Sequence, residues 1–140
     1  SADLTHWGGH AALTLPGGLA DWAVGRVGGG CPPVATASGW LTIYHANDKQ
    51  PGSGDAEVGG YYGAAMLLDR ADPSRVISAA ASPVLTPTEP FERQGFVPNV
   101  VFPTGLVMRG DQCRVYYGAG DAATAVVTWS TNDLLAMVER

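Results

Sequence analysis

The sequence is poor in charge, in cysteine and in histidine, and it has no long apolar run. Charged residues make up 15% of its 140, with 8 Lys and Arg against 13 Asp and Glu, and no basic cluster interrupts the formal net charge of −5. Nucleic acid needs a basic face for its phosphates, so that class of partner is excluded. No stretch approaches the roughly 20 apolar residues that cross a bilayer as a helix, and no leader pattern stands at Ser1. A cytoplasmic chain with no membrane partner is expected, although a cleaved leader would leave no trace. Cys31 and Cys113 lie in apolar surroundings at no metal-binding spacing and are read as reduced, buried thiols. His6, His10 and His45 have neither an HExxH nor a cysteine-rich context, so no metal and no bound cofactor are expected.

What is abundant is glycine, at 19 residues, with 10 prolines and a 46% hydrophobic fraction. That balance suits many short strands joined by tight turns and argues against disorder. A chain of this length hides roughly 70% of its unfolded surface, enough for one core. Trp40–Tyr44, Tyr61–Leu68, Asn99–Phe102, Leu106–Met108, Cys113–Tyr117 and Ala123–Trp129 are runs rich in β-branched and aromatic residues, and they read as strands. Gly17-Gly18, Ser38-Gly39, Pro51–Asp55, Gly59-Gly60 and Arg109–Asp111 mark turns, and Asn47–Gly60 is the longest loop. Only Asn132–Arg140 reads as a helix, with Ser130, Thr131 or Asn132 as its N-cap. Eight or nine helical residues hold together only when docked.

The segments around Pro32–His45 and Pro98–Gly118 echo one another, as do Ser1–Leu4 and Ser130–Leu134, so two similar units of a few antiparallel strands are expected. These fall at about residues 1–75 and 76–140 of a single domain. The most telling local feature is Gly95–Gly105, GFVPNVVFPTG, followed by Tyr116–Asp121, YYGAGD. It places a polar turn before one apolar strand and a carboxylate, Asp121, at the end of another, where small residues leave room for a ligand.

GFVPNVVFP and YYGA, with GWLTIYH at Gly39–His45 and the Ser-x-Asp-Leu-x-His-Trp start at Ser1–Trp7, resemble the C-terminal part of glycoside hydrolase family 130, the mannoside phosphorylases and β-mannosidases. The resemblance runs along nearly the whole chain, with the motifs in family order. It implies an all-β fold made of about two blades of a five-bladed β-propeller, each an antiparallel four-stranded sheet, with a short C-terminal helix. The chain is too short for a whole protein of this kind, and open blade flanks imply that it assembles with itself. Trp7, Trp22, Trp40 and Trp129 add to the apolar load that such an interface would cover.

Read from the residues, Asp121 is a turn carboxylate; the resemblance makes it an acceptor for mannosyl hydroxyls, and the two roles are compatible. Phe96 and Asn99, within GFVPNVVF, are implied to face the central cleft. Tyr61 and Tyr62, after Gly59-Gly60, read either as cross-strand aromatic pairing or as a sugar-stacking or phosphate-contacting surface. Arg26, in GRVGGGCPPV, stands where the family usually has a phosphate-holding lysine; His45 reads from the residues alone as a surface or hydrogen-bonded structural group at a strand end, and by the resemblance matches a histidine near phosphate. Gly28–Gly30 is no nucleotide loop, because Pro32-Pro33 forbids the helix that would follow. The family's catalytic acid and phosphate-gripping arginines lie in its N-terminal blades, so no catalytic residue is assigned here. Glu57, Glu89 and Glu92 read as solvated loop carboxylates.

The leading expectation is a glycosidase- or phosphorylase-related protein that is not catalytic alone and retains some affinity for mannose-containing oligosaccharide. The alternatives are a non-catalytic module that oligomerises through its blade faces, or an enzyme active only once assembled, with inorganic phosphate as co-substrate.

Overall fold

The computed structural model describes residues 1–18, 20–54 and 58–138. A single 3-10 turn at Asp21–Ala23 precedes β1 (Val27–Gly28), β2 (Val34–Ala35), β3 (Trp40–Asn47), β4 (Tyr61–Leu68) and β5 (Val76–Ala79). Then come α1 (Pro90–Arg93), β6 (Val101–Arg109), β7 (Gln112–Ala119), β8 (Ala123–Ser130) and α2 (Thr131–Val138). The first sheet has β1 and β2 both on β3, then β4 and β5; the second runs β6-β7-β8, and all pairs within the two sheets are antiparallel.

Two four-stranded sheets were expected, and the strand numbers are five and three. β1 and β2 occupy one position, however. Val27-Gly28 pairs with Ala46-His45, Val34-Ala35 pairs with Leu41-Trp40, and between them Cys31 N–H donates to Ile43 O at 2.8 Å. They form one edge strand interrupted at Pro32-Pro33, which have no N–H to give the ladder. β5, in the region read as the second unit, hydrogen-bonds to β4 and carries the first sheet past residue 75.

Val101-Phe102 and Leu106–Met108, expected as separate strands, are parts of a single strand, β6, which begins after Asn99 and Val100. The register shifts between Pro103 and Gly105, so the proline sits at an irregularity of an edge strand, where its missing N–H breaks no ladder. Gly110 (φ 59°) closes the β6–β7 hairpin, with Arg109 opposite Gln112. Of the loop expected at Asn47–Gly60, Asp55, Ala56 and Glu57 lie outside the described residues, as do Glu139 and Arg140 of the C-terminal helix. Ser130 is the N-cap: its Oγ accepts the Asp133 N–H at 3.4 Å.

Alternation along β3 buries both of its faces. Leu41 and Ile43 join Ala65, Leu67, Leu106, Cys113, Val115, Leu134 and Val138 in the core that β3, β4, β6, β7 and α2 share. Tyr44 and Ala46 point the other way, onto Ala23 and, at the edge of that cluster, Leu15 and Trp22. Both thiols are free and in the shared core; burial pushes Cys31 up to about 12, consistent with inert structural groups. The tryptophans do not form a common sticky surface. Trp22 and Trp40 donate to Ala81 O and Arg70 O, Trp129 packs against the core, and Trp7 alone is largely exposed, at 69%.

The second sheet is one-sided. Its β7 alternates buried and exposed, and Val107, Tyr116 and Val126 face solvent from neighbouring strands. Leu134, fully buried, ties α2 to the shared core. Leu134→Ala is expected to cost about 2–5 kcal/mol, because the site is walled by strands that cannot collapse into the space. Urea unfolding followed by tryptophan fluorescence measures this, and a loss under about 1 kcal/mol would show that α2 is not part of the cooperative unit.

Candidate functional site at one end of the two sheets

β3 ends at Asn47 opposite Tyr61, where β4 begins. A parallel bridge between Tyr61 and Val100 sets the start of β4 beside the start of β6, and Val101 pairs with Ala119, where β7 ends. Arg26, His45, Tyr61, Phe96, Asn99 and Asp121 therefore all lie at the same end of the two sheets.

Three rings form the centre of this end. His45 stacks on Phe102 with centroids 4.2 Å apart and planes 32° from parallel, and Tyr61 lies 5.9 Å from Phe102 and 6.1 Å from His45. His45 and Tyr61 share a face because Gly63 opposes His45 and Asn47 opposes Tyr61, one alternation apart. Gly28, on the other flank, has to be glycine: a Cβ there would stand 2.6 Å from the imidazole Cε1. Tyr61 and Tyr62 point to opposite faces and so form no joint surface. Tyr62 lies edge-on to Trp22, and its hydroxyl donates to Asp48 at 2.8 Å.

Around the rings lies a rim of unusual backbone. Asn99 (φ 60°) and Asp121 (φ 50°) are two of three non-glycine residues with positive φ among the described residues. Gly120 (φ 57°) and Asp121 together give the both-positive signature of a I′-type hairpin turn, closed by Ala122 N–H to Ala119 O at 3.1 Å. The Asp121 carboxylate is exposed and accepts no hydrogen bond from the described residues, so it does not cap its own turn. Asn99 O accepts from Tyr61 N at 2.9 Å, joining the rim to the rings. Phe96 stands out into solvent at 87% exposure; Phe102, not singled out in the sequence, is the phenylalanine of the cluster. Arg26 is exposed, its backbone N–H held by Asn47 Oδ1 at 2.6 Å and its guanidinium unpartnered among the described residues.

Glu92 corrects the sequence reading most sharply. Read as a solvated loop carboxylate, it is only 2% exposed. Its Oε2 accepts from Thr88 N at 2.6 Å and Glu89 N at 2.8 Å, and its Oε1 accepts from the Tyr117 hydroxyl at 2.6 Å. Burial raises its pKa, but these donors outweigh burial and leave it below the usual carboxylate value. No group of three or more His, Cys, Asp or Glu able to hold a metal occurs among the described residues. No helix among them is long and apolar enough to cross a membrane.

The family model described as beta-1,4-mannooligosaccharide phosphorylase, that of glycoside hydrolase family 130, matches residues 1–140. The chain belongs to glycoside hydrolase family 130. It is 39% identical over 134 residues to the 1,2-beta-oligomannan phosphorylase of Thermoanaerobacter sp. (strain X514), covering 96% of this chain and 42% of the relative. It is 36% identical over 141 residues to the beta-1,2-mannobiose phosphorylase of Listeria innocua serovar 6a, covering 99% and 37%. The structure of the Listeria innocua enzyme with beta-1,2-mannobiose matches at a TM-score of 0.85 and 35% identity, over 99% of this chain and 37% of that one. The family 130 chain thus spans about two fifths of the length of these relatives. Its two sheets are about two blades of the family's β-propeller.

At the centre of the ring cluster, burial lowers the His45 pKa, with a backbone hydrogen bond at Gly29 acting the other way, and Nδ1 has no partner among the described residues. The folded value lies below the ordinary 6.5 of an unfolded chain, so the unfolded state binds the proton more readily between the two. This contribution to stability is fully present above pH 6.5 and is lost as pH falls towards the lowered folded value. Thermal unfolding from about pH 8 to about pH 5 should show the decline, and His45→Phe, which keeps a ring on Phe102, should flatten it. An unchanged slope in His45→Phe would assign the decline to other groups.

Proposed function

We propose that this family 130 chain supplies the floor and rim of a β-mannoside pocket, and that it does not cleave the glycosidic bond by itself. The observation that supports this reading is the His45–Phe102–Tyr61 cluster at the same end as the uncommitted Asp121 carboxylate. The faces of a pyranose carry C–H groups that pack on aromatic rings, and a carboxylate accepts from its hydroxyls. Few polar anchors over an apolar floor are the usual composition of a small-ligand site.

Cleavage asks for more. Phosphorolysis needs a proton donor at the leaving oxygen and cations that orient phosphate. Glu92 and Asp48 are occupied by Tyr117, Thr88, Glu89, Tyr62 and Gly60, so neither is poised as that acid. Arg26 and His45 are suited to lie near inorganic phosphate as co-substrate, with the acid supplied by parts of the family fold outside these 140 residues.

Titrating β-1,2-mannobiose against the chain and against Asp121→Asn, with ¹H–¹⁵N chemical shifts as readout, tests the pocket. Weak binding is expected for the parent. Losing a charged acceptor costs about 1.5–3 kcal/mol, a drop in affinity of about tenfold or more. Identical responses in both proteins, or none in either, would overturn the pocket. No mannose 1-phosphate should form from mannobiose and phosphate, and turnover abolished by Asp121→Ala would overturn the non-catalytic reading.

A second reading rests on the solvent face of the second sheet, where Tyr116 (40% exposed) pairs across strands with Val126 (52%). If this face mediates self-assembly, light scattering at micromolar concentration should report more than one chain per particle, and Val126→Lys should shift it towards monomer. A stable parent monomer would remove this reading.

A further inference from the structure

We infer that Glu92 is the positioning residue of the mannoside pocket, holding Asn99 and Asp121 in the left-handed backbone geometry in which the rim meets a sugar. The inference rests on the pocket reading above and adds to it a group that touches no ligand. α1 is four residues long and cannot hold its own place. What anchors it is the Glu92 side chain, gripped by Thr88 and Glu89 backbone N–H groups at one oxygen and by Tyr117 of β7 at the other.

From that anchor the rim is set in two directions. Glu92 O accepts the Val100 N–H at 3.0 Å, fixing the residue after Asn99. Val100 O in turn accepts Gly120 N–H at 2.9 Å, and Gly120 O accepts Val97 N–H at 3.0 Å, which fixes the residue before Asp121. The backbones meet so closely here that a Cβ on Gly120 would lie 2.7 Å from Phe91 O and 2.8 Å from Gly95 Cα. A non-glycine residue at positive φ persists only where its surroundings hold it. Both Asn99 and Asp121 adjoin a residue in this chain of bonds, which also continues the Val101–Ala119 pairing of β6 and β7; Glu92 is the point at which a side chain ties α1, and with it the Val100 end of the chain, to β7.

Tyr117→Phe removes one donor from the carboxylate with little change of shape, and Glu92→Gln removes its charge. In Tyr117→Phe, the amide resonances of Asn99, Gly120 and Asp121 should move, those of Met108–Gln112 at the opposite end of the β6–β7 hairpin should stay, and β-1,2-mannobiose affinity should fall by about 5- to 30-fold. Glu92→Gln should do the same more strongly if it folds, and Tyr117→Phe alone decides the matter if it does not. A variant that melts earlier yet keeps the parent's Asn99 and Asp121 resonances and affinity would make Glu92 a merely structural residue and overturn the inference. A parent that takes up no mannobiose overturns the pocket reading, and with it the sugar-binding half of this one. The resonances then decide the geometric half by themselves.

Discussion

Val100 is tied on three sides: its N–H goes to α1, its carbonyl to the β7–β8 turn, and it bridges in parallel to Tyr61 at the start of β4. The two sheets share an apolar core, but a core of interdigitated side chains sets no register between sheets to within a hydrogen-bond length. Directional bonds do: at the site end Asn99 O accepts the Tyr61 N–H of the first sheet, and Val100 next to it is bonded to α1 and to the β7–β8 turn. Without this junction, His45 and Tyr61 of the first sheet and the Asp121 turn of the second would be related by packing alone, chiefly the stacking of Phe102 of β6 on His45.

The bonds at Val100 depend in turn on a carboxylate in an unusual place. A charge taken out of water has to be matched by donors, and Glu92 is matched by two backbone N–H groups and one phenol. Its lowered pKa follows from that matching. The same hydroxyl shows the reciprocal effect: burial first and then the Glu92 hydrogen bond raise the Tyr117 pKa, so the proton stays on the phenol and the bond keeps its direction.

Much of this architecture was legible in the sequence where the signal is local. β4 was placed to the residue, β7 and β8 to within two, and the β6–β7 turn by its glycine, because alternation and turn chemistry are properties of a few neighbours. β1 and β2 were not, since two-residue strands have no period to detect; nor was β5. α1 was signalled by Glu89-Pro90 and a glutamate at the third helical position, a capping pattern that the polar context disguised as loop. His45, Tyr61, Asn99 and Asp121 are singled out by local sequence features, and the structure sets them at one end of the two sheets. In GFVPNVVF the sequence does not tell which phenylalanine joins the ring cluster, because the stacking of Phe102 on His45 is made with a strand of another sheet, while Phe96 stands exposed. Glu92 was misread because its decisive partner, Tyr117, lies 25 residues away in sequence.

Floor and rim are built by different physics. The floor consists of rings on regular strands, where stacking and glycine clearance at Gly28 fix each orientation from several sides. The rim consists of Asn99 and Asp121 in left-handed backbone, Asp121 in the hairpin turn that closes the β7–β8 ladder, and the two are joined by the bonds among Glu92, Val100, Gly120 and Val97. Apolar contact with a sugar face discriminates little among hexoses, whereas hydroxyl orientation is read by the placement of acceptors. Recognition of one sugar over another would therefore reside in the rim, the part whose geometry is held at a distance by a buried charge. The floor would then supply the stacking that hexoses share and the rim the part of the affinity that depends on hydroxyl orientation, so a change at Glu92 or Tyr117 would weaken the fitting sugar most and narrow its advantage over others.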